Sequence, residues 1–69
     1  MNKTTLIKKL SRSTRILAIR EFAALHRFSY STVRSSRHLR AAAILEYKRA
    51  RIEFYRMEAA LQAEVDAAA

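Results

Sequence analysis

The side chains in this sequence with the clearest chemical potential are its cations, which are concentrated at one end. Residues 1–40 carry ten Lys and Arg side chains and a single acid, Glu21, whereas residues 41–69 carry four basic and five acidic side chains. The net charge is therefore +9 on the first part and −1 on the second. Such a concentration of positive charge predicts a surface that binds a polyanion, and nucleic acid, with duplex DNA favoured, is the commonest candidate.

The residue types that perform catalysis do not form a recognisable catalytic set. His26 and His38 lie far apart in a chain without cysteine, so the sequence predicts no metal site. No serine is accompanied by a base that an acid orients, and the acids after residue 40 are spread along one segment instead of forming an acid and base pair. We therefore expect no enzymatic activity and no cofactor.

The elements that position these cations are predicted to be helices. The chain has no Gly or Pro, the residues that usually form tight turns, and Ala, Leu, Arg, Glu and Lys, which favour helix, are abundant. This composition predicts one all-α domain of two or three helices, with a shorter basic N-terminal segment packed on a long C-terminal helix. A chain of this size buries only about 60% of its unfolded surface, so self-association would add stability.

The first helix is predicted to begin at a cap formed by Thr4 or Thr5. Serine and threonine at 11, 13 and 14 weaken this helix and form a potential break. Residues 16–25 are apolar on nearly all sides, which predicts the most buried part of the chain. One apolar stripe at helical spacing is predicted to face the core: Leu6, Leu10, Leu17, Ala24, Leu25 and Phe28.

The second helix is predicted to follow a connection at residues 27–32, with Ser29 or Ser31 as its cap, and to run from about 31 to about 65. It has two apolar stripes. The first contains Val33, Ala43, Tyr47, Ala50, Phe54, Met57, Leu61 and Val65; the second contains Ala41, Leu45, Ile52, Tyr55 and Ala59. Two stripes favour a homodimer of coiled-coil type, in which the first helix covers one stripe and Leu45, Ile52, Tyr55 and Ala59 meet a second copy. The alternative is a monomer with one broad buried face.

Residues 19–38 resemble the helix-turn-helix segment of DNA-binding regulators, including the short forms in MerR-like and excisionase proteins. Five positions carry most of the resemblance: Phe22 and Ala23 in the first helix, Phe28 and Ser29 at the turn, and Val33 in the second helix. The sequence departs from the pattern at two positions. Arg27 stands where Gly is usual, which requires a positive φ or a different turn, and Ser36 stands where an apolar residue is usual.

The resemblance implies which side chains would meet the major groove or its phosphates. They are Arg27, Tyr30, Ser31, Thr32, Arg34, Ser35, Arg37 and Arg40. Arginine can read guanine with two hydrogen bonds, and short hydroxyls can reach bases or phosphates. Tyr30 is also a candidate for base stacking, since the other aromatic residues lie at the spacing of buried stripes. The alternative is a plain helical hairpin with a serine-rich bend.

These features together predict a small homodimeric DNA-binding protein, with binding through residues 1–40 and dimerisation through residues 41–69. Transcription regulators or accessory factors of phages and mobile elements often have this size and charge. The alternative is a helical hairpin that binds and inhibits or adapts an acidic protein. No apolar run has transmembrane length, and binding of the first helix to a membrane surface is a weaker alternative because Thr14 and Glu21 interrupt its apolar stripe. The absence of cysteine favours a cytoplasmic location, although the Arg- and Ser-rich start is also typical of a mitochondrial presequence.

Overall fold

The structure, a computed structural model, describes residues 8–69 and contains three helices and no strand within that range. Helix α1 is Arg12–His26, α2 is Tyr30–Ser35 and α3 is Arg37–Ala68. Each helix contacts the other two. The predicted all-α fold, with a shorter helix packed on a long C-terminal helix, is confirmed.

Helix α1 begins later than its apolar pattern predicts. Ser11 has extended backbone, and its hydroxyl accepts a hydrogen bond from the backbone N–H of Thr14, with 3.2 Å between N and Oγ. Thr4 and Thr5 lie outside the described residues, but residues 8–11 are not helical. Of the two possibilities that the sequence left open, the interruption at the serine and threonine cluster is therefore the one observed, because this cluster supplies the cap of α1.

The end of α1 is a tight turn made without glycine. Arg27 lies in the left-handed region with φ 60° and ψ 39°, which is the first of the two outcomes that its position allowed. The backbone N–H groups of Arg27 and Phe28 both donate to the carbonyl oxygen of Ala23, the latter at 2.8 Å. This hydrogen-bonded ending usually has glycine at the left-handed position.

The second half of the chain contains two helices, so the predicted continuous helix from residue 31 is wrong. Ser29 caps α2, as predicted, by accepting a hydrogen bond from the N–H of Thr32. Helix α2 ends at Ser35, and Ser36 has extended backbone with φ −96° and ψ 116°. The Ser36 hydroxyl then accepts from the N–H of Leu39 and starts α3. A serine hydroxyl favours such a cap over the interior of a helix, which explains the break.

All three helices contribute to one small core. Val33 from α2 is completely buried, and it shares a cluster with Ile19, Phe22, Ala23 and Ala43. Tyr30 and Leu39 pack against this cluster. Alanine at 23 and 43 lets the helix backbones approach closely, because it places only a methyl group between them.

The inner face of α1 differs from the predicted stripe. Burial within residues 16–25 is confirmed at Ala18, Ile19, Phe22 and Ala23, but Leu25 is 70% exposed and Leu17 and Phe28 are also exposed. The helix thus buries Ala18 and Ala23 together with Ile19 and Phe22, and it leaves Leu17 and Leu25 outside. The two alanines permit a shorter distance between α1 and the helices that it packs against.

Helix α3 extends well beyond this core. Its 32 residues span about 48 Å at 1.5 Å per residue. Ile52 is its last buried residue, and every residue from 53 to 69 is exposed. We call residues 8–52 the head and residues 53–69 the arm.

Candidate nucleic-acid interface

Seven arginines lie on the head, and we call the combined surface that they provide the arginine face. They come from α1, the turn after it, α2 and the first turn of α3: Arg12, Arg15, Arg20, Arg27, Arg34, Arg37 and Arg40. Five are exposed, and Arg15 and Arg40 are half-buried. Within residues 8–69 no arginine lies at ion-pair distance from a carboxylate. The charge of this face is therefore not neutralised within the chain.

Tyr30 organises two of these arginines. The guanidinium carbons of Arg20 and Arg34 lie 5.6 Å and 5.9 Å from the centre of its ring, which is the distance of a cation–π contact. Tyr30 itself is half-buried and packs against the core. Its ring thus holds arginines of α1 and α2 on one surface, and the expectation of a free stacking platform gives way to this supporting role.

The hydroxyl groups at the start of α2 are largely engaged with one another. The hydroxyl oxygen of Ser29 lies 2.6 Å from that of Thr32 and 3.4 Å from that of Ser31. Ser31, Thr32 and Ser35 are exposed, as their predicted contact with DNA requires. The hydroxyl of Thr32, however, already has one hydrogen-bond partner within the chain.

Arg40 connects α2 to α3. Its Nη1 donates a hydrogen bond to the backbone carbonyl oxygen of Arg34 in the last turn of α2. This contact positions the end of α2 against α3 across the break at Ser36. Arg37 and Arg27, in contrast, are exposed at the start of α3 and in the turn. The predicted set therefore lies on the head, with Arg40 in a structural role.

Arg20 is not among the side chains that the helix-turn-helix resemblance assigns to DNA. Its proximity to Arg34 arises because both side chains meet Tyr30 from different helices. No spacing along the chain signals such a contact between elements.

His26 has a structural role at the opposite end of α1. Its Nε2 lies 2.9 Å from Oε2 of Glu46 on α3, and its ring centre lies 4.3 Å from that of Phe22. It therefore ties the end of α1 to α3. Within residues 8–69, no three His, Asp or Glu side chains are grouped as a metal site would require.

The expected dimerisation residues divide into two groups. Ile52 is only 9% exposed, so the single chain already covers it, whereas Leu45, Tyr55 and Ala59 are exposed. The first stripe, which α1 was expected to cover, is buried only near its start. Its last four large residues are each 60–62% exposed and form an apolar strip along the arm: Phe54, Met57, Leu61 and Val65. The exposed apolar strip of the arm thus lies on the first stripe and not on the second.

Comparisons with protein-family models, curated proteins and solved structures gave no match to this chain. None of the helices in residues 8–69 combines the length and the apolar character needed to cross a bilayer.

Proposed function

We propose that this protein binds duplex DNA through the arginine face and dimerises through the arm, as a transcription regulator or accessory factor of the kind found in phages and mobile elements. The observation that carries this proposal is the set of seven arginines on one head without an acidic partner among residues 8–69. Phosphate is the group that such a surface suits best, because guanidinium binds it with two parallel hydrogen bonds.

The resemblance of residues 19–38 to helix-turn-helix segments supports α2 as the element that approaches the major groove. Arg34 in α2 and Arg37 at the start of α3 are both exposed and follow each other closely along the chain. A six-residue helix is short for this role. The first turn of α3 adds the further cations that a longer helix would provide.

The arm supports a dimer because it exposes a continuous apolar strip. A monomer rarely exposes such a strip, and a second copy of the chain covers it with an identical surface. Two heads on one dimer would double the number of phosphates contacted. A dimer also allows two half-sites to be read at once.

DNA binding at several salt concentrations tests the proposal. The logarithm of the affinity should fall linearly with the logarithm of the salt concentration, with a slope of about −0.9 for each phosphate neutralised. We expect about four to eight such contacts for a dimer. No detectable binding at roughly 50–100 mM salt would contradict DNA binding and favour an acidic protein as the partner.

A pair of variants tests the role of α2. Replacing Arg34 or Arg37 by Ala should weaken binding to a preferred sequence by about 1–3 kcal/mol each if these side chains reach bases. Replacing Lys8 or Lys9 by Ala should cost less and act equally on all sequences. Equal and sequence-independent losses at all four positions would contradict a base-reading role for α2.

A further inference from the structure

A concave site lies between α1, α2 and the first turns of α3, and we call it the arginine cleft. It has a volume of about 430 Å³, and four arginines line it: Arg12, Arg15, Arg34 and Arg40. Its remaining lining residues are Tyr30 and the isoleucines at 16, 19 and 44. The site therefore combines four cations with an apolar floor.

Among residues 8–69, no carboxylate lines this cleft to balance its charge. Four guanidinium groups around one cavity repel one another, and the apolar floor weakens the screening that water would provide. An anion in the cleft would remove this repulsion and gain hydrogen bonds from several guanidinium groups. The electrostatics thus favour a ligand with concentrated negative charge.

The position of Arg12 and Arg15 strengthens this preference. Both lie in the first turn of α1, where the helix dipole is positive and acidic residues are usually favourable. No acid is present in that turn. The positive helix end repels these two cations, which is unfavourable. A bound anion would be attracted both by the cations and by the helix end.

Two of the arginines are held in place before any ligand arrives. Arg34 contacts the ring of Tyr30, and Arg40 donates to the carbonyl oxygen of Arg34. Their side chains have less conformational freedom to lose on binding than free surface arginines have. The cleft is therefore partly preorganised on its α2 and α3 side.

We propose that the arginine cleft binds a phosphate of the nucleic-acid backbone. This inference rests on the proposed DNA binding and assigns a phosphate contact to the start of α1, which lies outside the side chains at 27–40 that the helix-turn-helix resemblance implies. Every charged side chain among the described residues that line the cleft is an arginine, and none of these residues offers an amide or carboxylate side chain to distinguish base edges. The apolar floor suits the carbon atoms of the adjoining sugar. The cleft thus positions the backbone and contributes affinity without sequence preference.

The test compares two double variants with the same change in net charge. Arg12→Gln with Arg15→Gln alters the cleft, and Arg49→Gln with Arg56→Gln removes two exposed arginines of α3 outside it. Fluorescence anisotropy measures the affinity for two duplexes of unrelated sequence across a salt series. The cleft variant should bind both duplexes about tenfold or more weakly at low salt, with a salt slope reduced by about 0.9 for each phosphate that it no longer neutralises. The control variant should keep most of the affinity and the slope.

The outcomes separate this inference from the proposed function. If the unmodified protein does not bind either duplex, DNA binding itself is wrong. If the unmodified protein binds and both double variants are weakened equally, the cleft has no special role and the inference is overturned. A weakening confined to one of the two duplexes would also overturn it, because a backbone contact acts on every sequence.

A second measurement does not depend on DNA. Inorganic pyrophosphate at millimolar concentration should raise the melting temperature of the unmodified protein by more than that of the cleft variant, because a ligand stabilises the state that binds it. Circular dichroism checks that both proteins are equally helical. Equal shifts of the two melting temperatures would overturn phosphate binding in the cleft.

Discussion

The head and the arm share helix α3 but differ in packing and in charge. The head contains every buried residue among those described and carries twelve basic and two acidic side chains, whereas the arm buries nothing and carries one basic and four acidic side chains. One continuous helix therefore has a packed, cationic start and an unpacked, acidic end. The fold of the chain resides in the head, and the arm remains available for contact with another molecule.

The helical structure of the two regions is also stabilised in different ways. In the head, α1 and α2 fix the start of α3 through the cluster around Val33. No residue of the arm is buried in the structure of residues 8–69, and isolated helices of its length are marginal in water. Its alanine content favours helix, but a partner along its apolar strip would stabilise it much more. This difference makes the arm the natural place for self-association.

The largest effect should come from matched truncations of one aromatic residue in each region. Phe22 is 8% exposed and its ring contacts those of His26 and Phe28, so Phe22→Ala should lower the free energy of unfolding by about 3–5 kcal/mol. Phe54 is mostly exposed, and Phe54→Ala should cost less than about 0.5 kcal/mol in the monomeric state. Urea denaturation followed by circular dichroism measures both. Equal losses that do not depend on protein concentration would contradict the division into head and arm.

Composition and the apolar pattern were sufficient to predict the fold class, Ser29 as one of two possible caps, and residues 16–25 as the stretch that contains most of the buried residues of α1. These features depend on local preferences or on a strong apolar pattern. The start of α1 and the break at Ser36 were not predictable in the same way. At such serines the preference for a cap over a continuing helix is only about 1 kcal/mol, and contacts between helices decide the outcome.

The candidate site was predictable in its charge but not in its arrangement. The crowding of cations before residue 41 pointed to the head as the candidate binding region. The meeting of Arg20 and Arg34 on Tyr30 and the inclusion of Arg12 in the arginine cleft depend on how α1 crosses α2. The relative exposure of Leu25 and Ala23 has the same origin, since a helix pattern alone does not reveal which neighbour lies close.

A smaller effect is expected from a charge placed on the apolar strip of the arm. Leu61→Asp should weaken the dimer at least tenfold, about 1.4 kcal/mol, because an unpaired carboxylate would be buried at the contact. Ala63→Asp is the matched control, since two positions correspond to about 200° around the helix and place the charge on the opposite side. Light scattering over a concentration series measures the mass of each protein.

The same measurement tests whether the strip is a dimer contact at all. The unmodified protein should have the mass of two chains at tens of micromolar, where the association free energy is about −6 kcal/mol. A mass of one chain at that concentration would refute dimerisation through the arm. Equal weakening by Leu61→Asp and Ala63→Asp would show that net charge, and not the strip, controls association.

The smallest effect, and the only one of opposite sign, is expected at Arg27 in the turn of the head. Its positive φ is unfavourable for a residue with a Cβ atom, so Arg27→Gly should raise the free energy of unfolding by about 0.5–1 kcal/mol. The same change removes a cation from the arginine face and should weaken DNA binding. Arg27→Ala is the control, since it removes the cation but keeps the unfavourable conformation, and it should lower affinity to the same extent without the gain in stability. Denaturation and anisotropy on the three proteins separate the two effects. A gain in stability with a loss of affinity would mean that the head keeps a cation in its turn at the expense of stability, whereas a loss of stability in Arg27→Gly would show that the arginine side chain itself supports the turn.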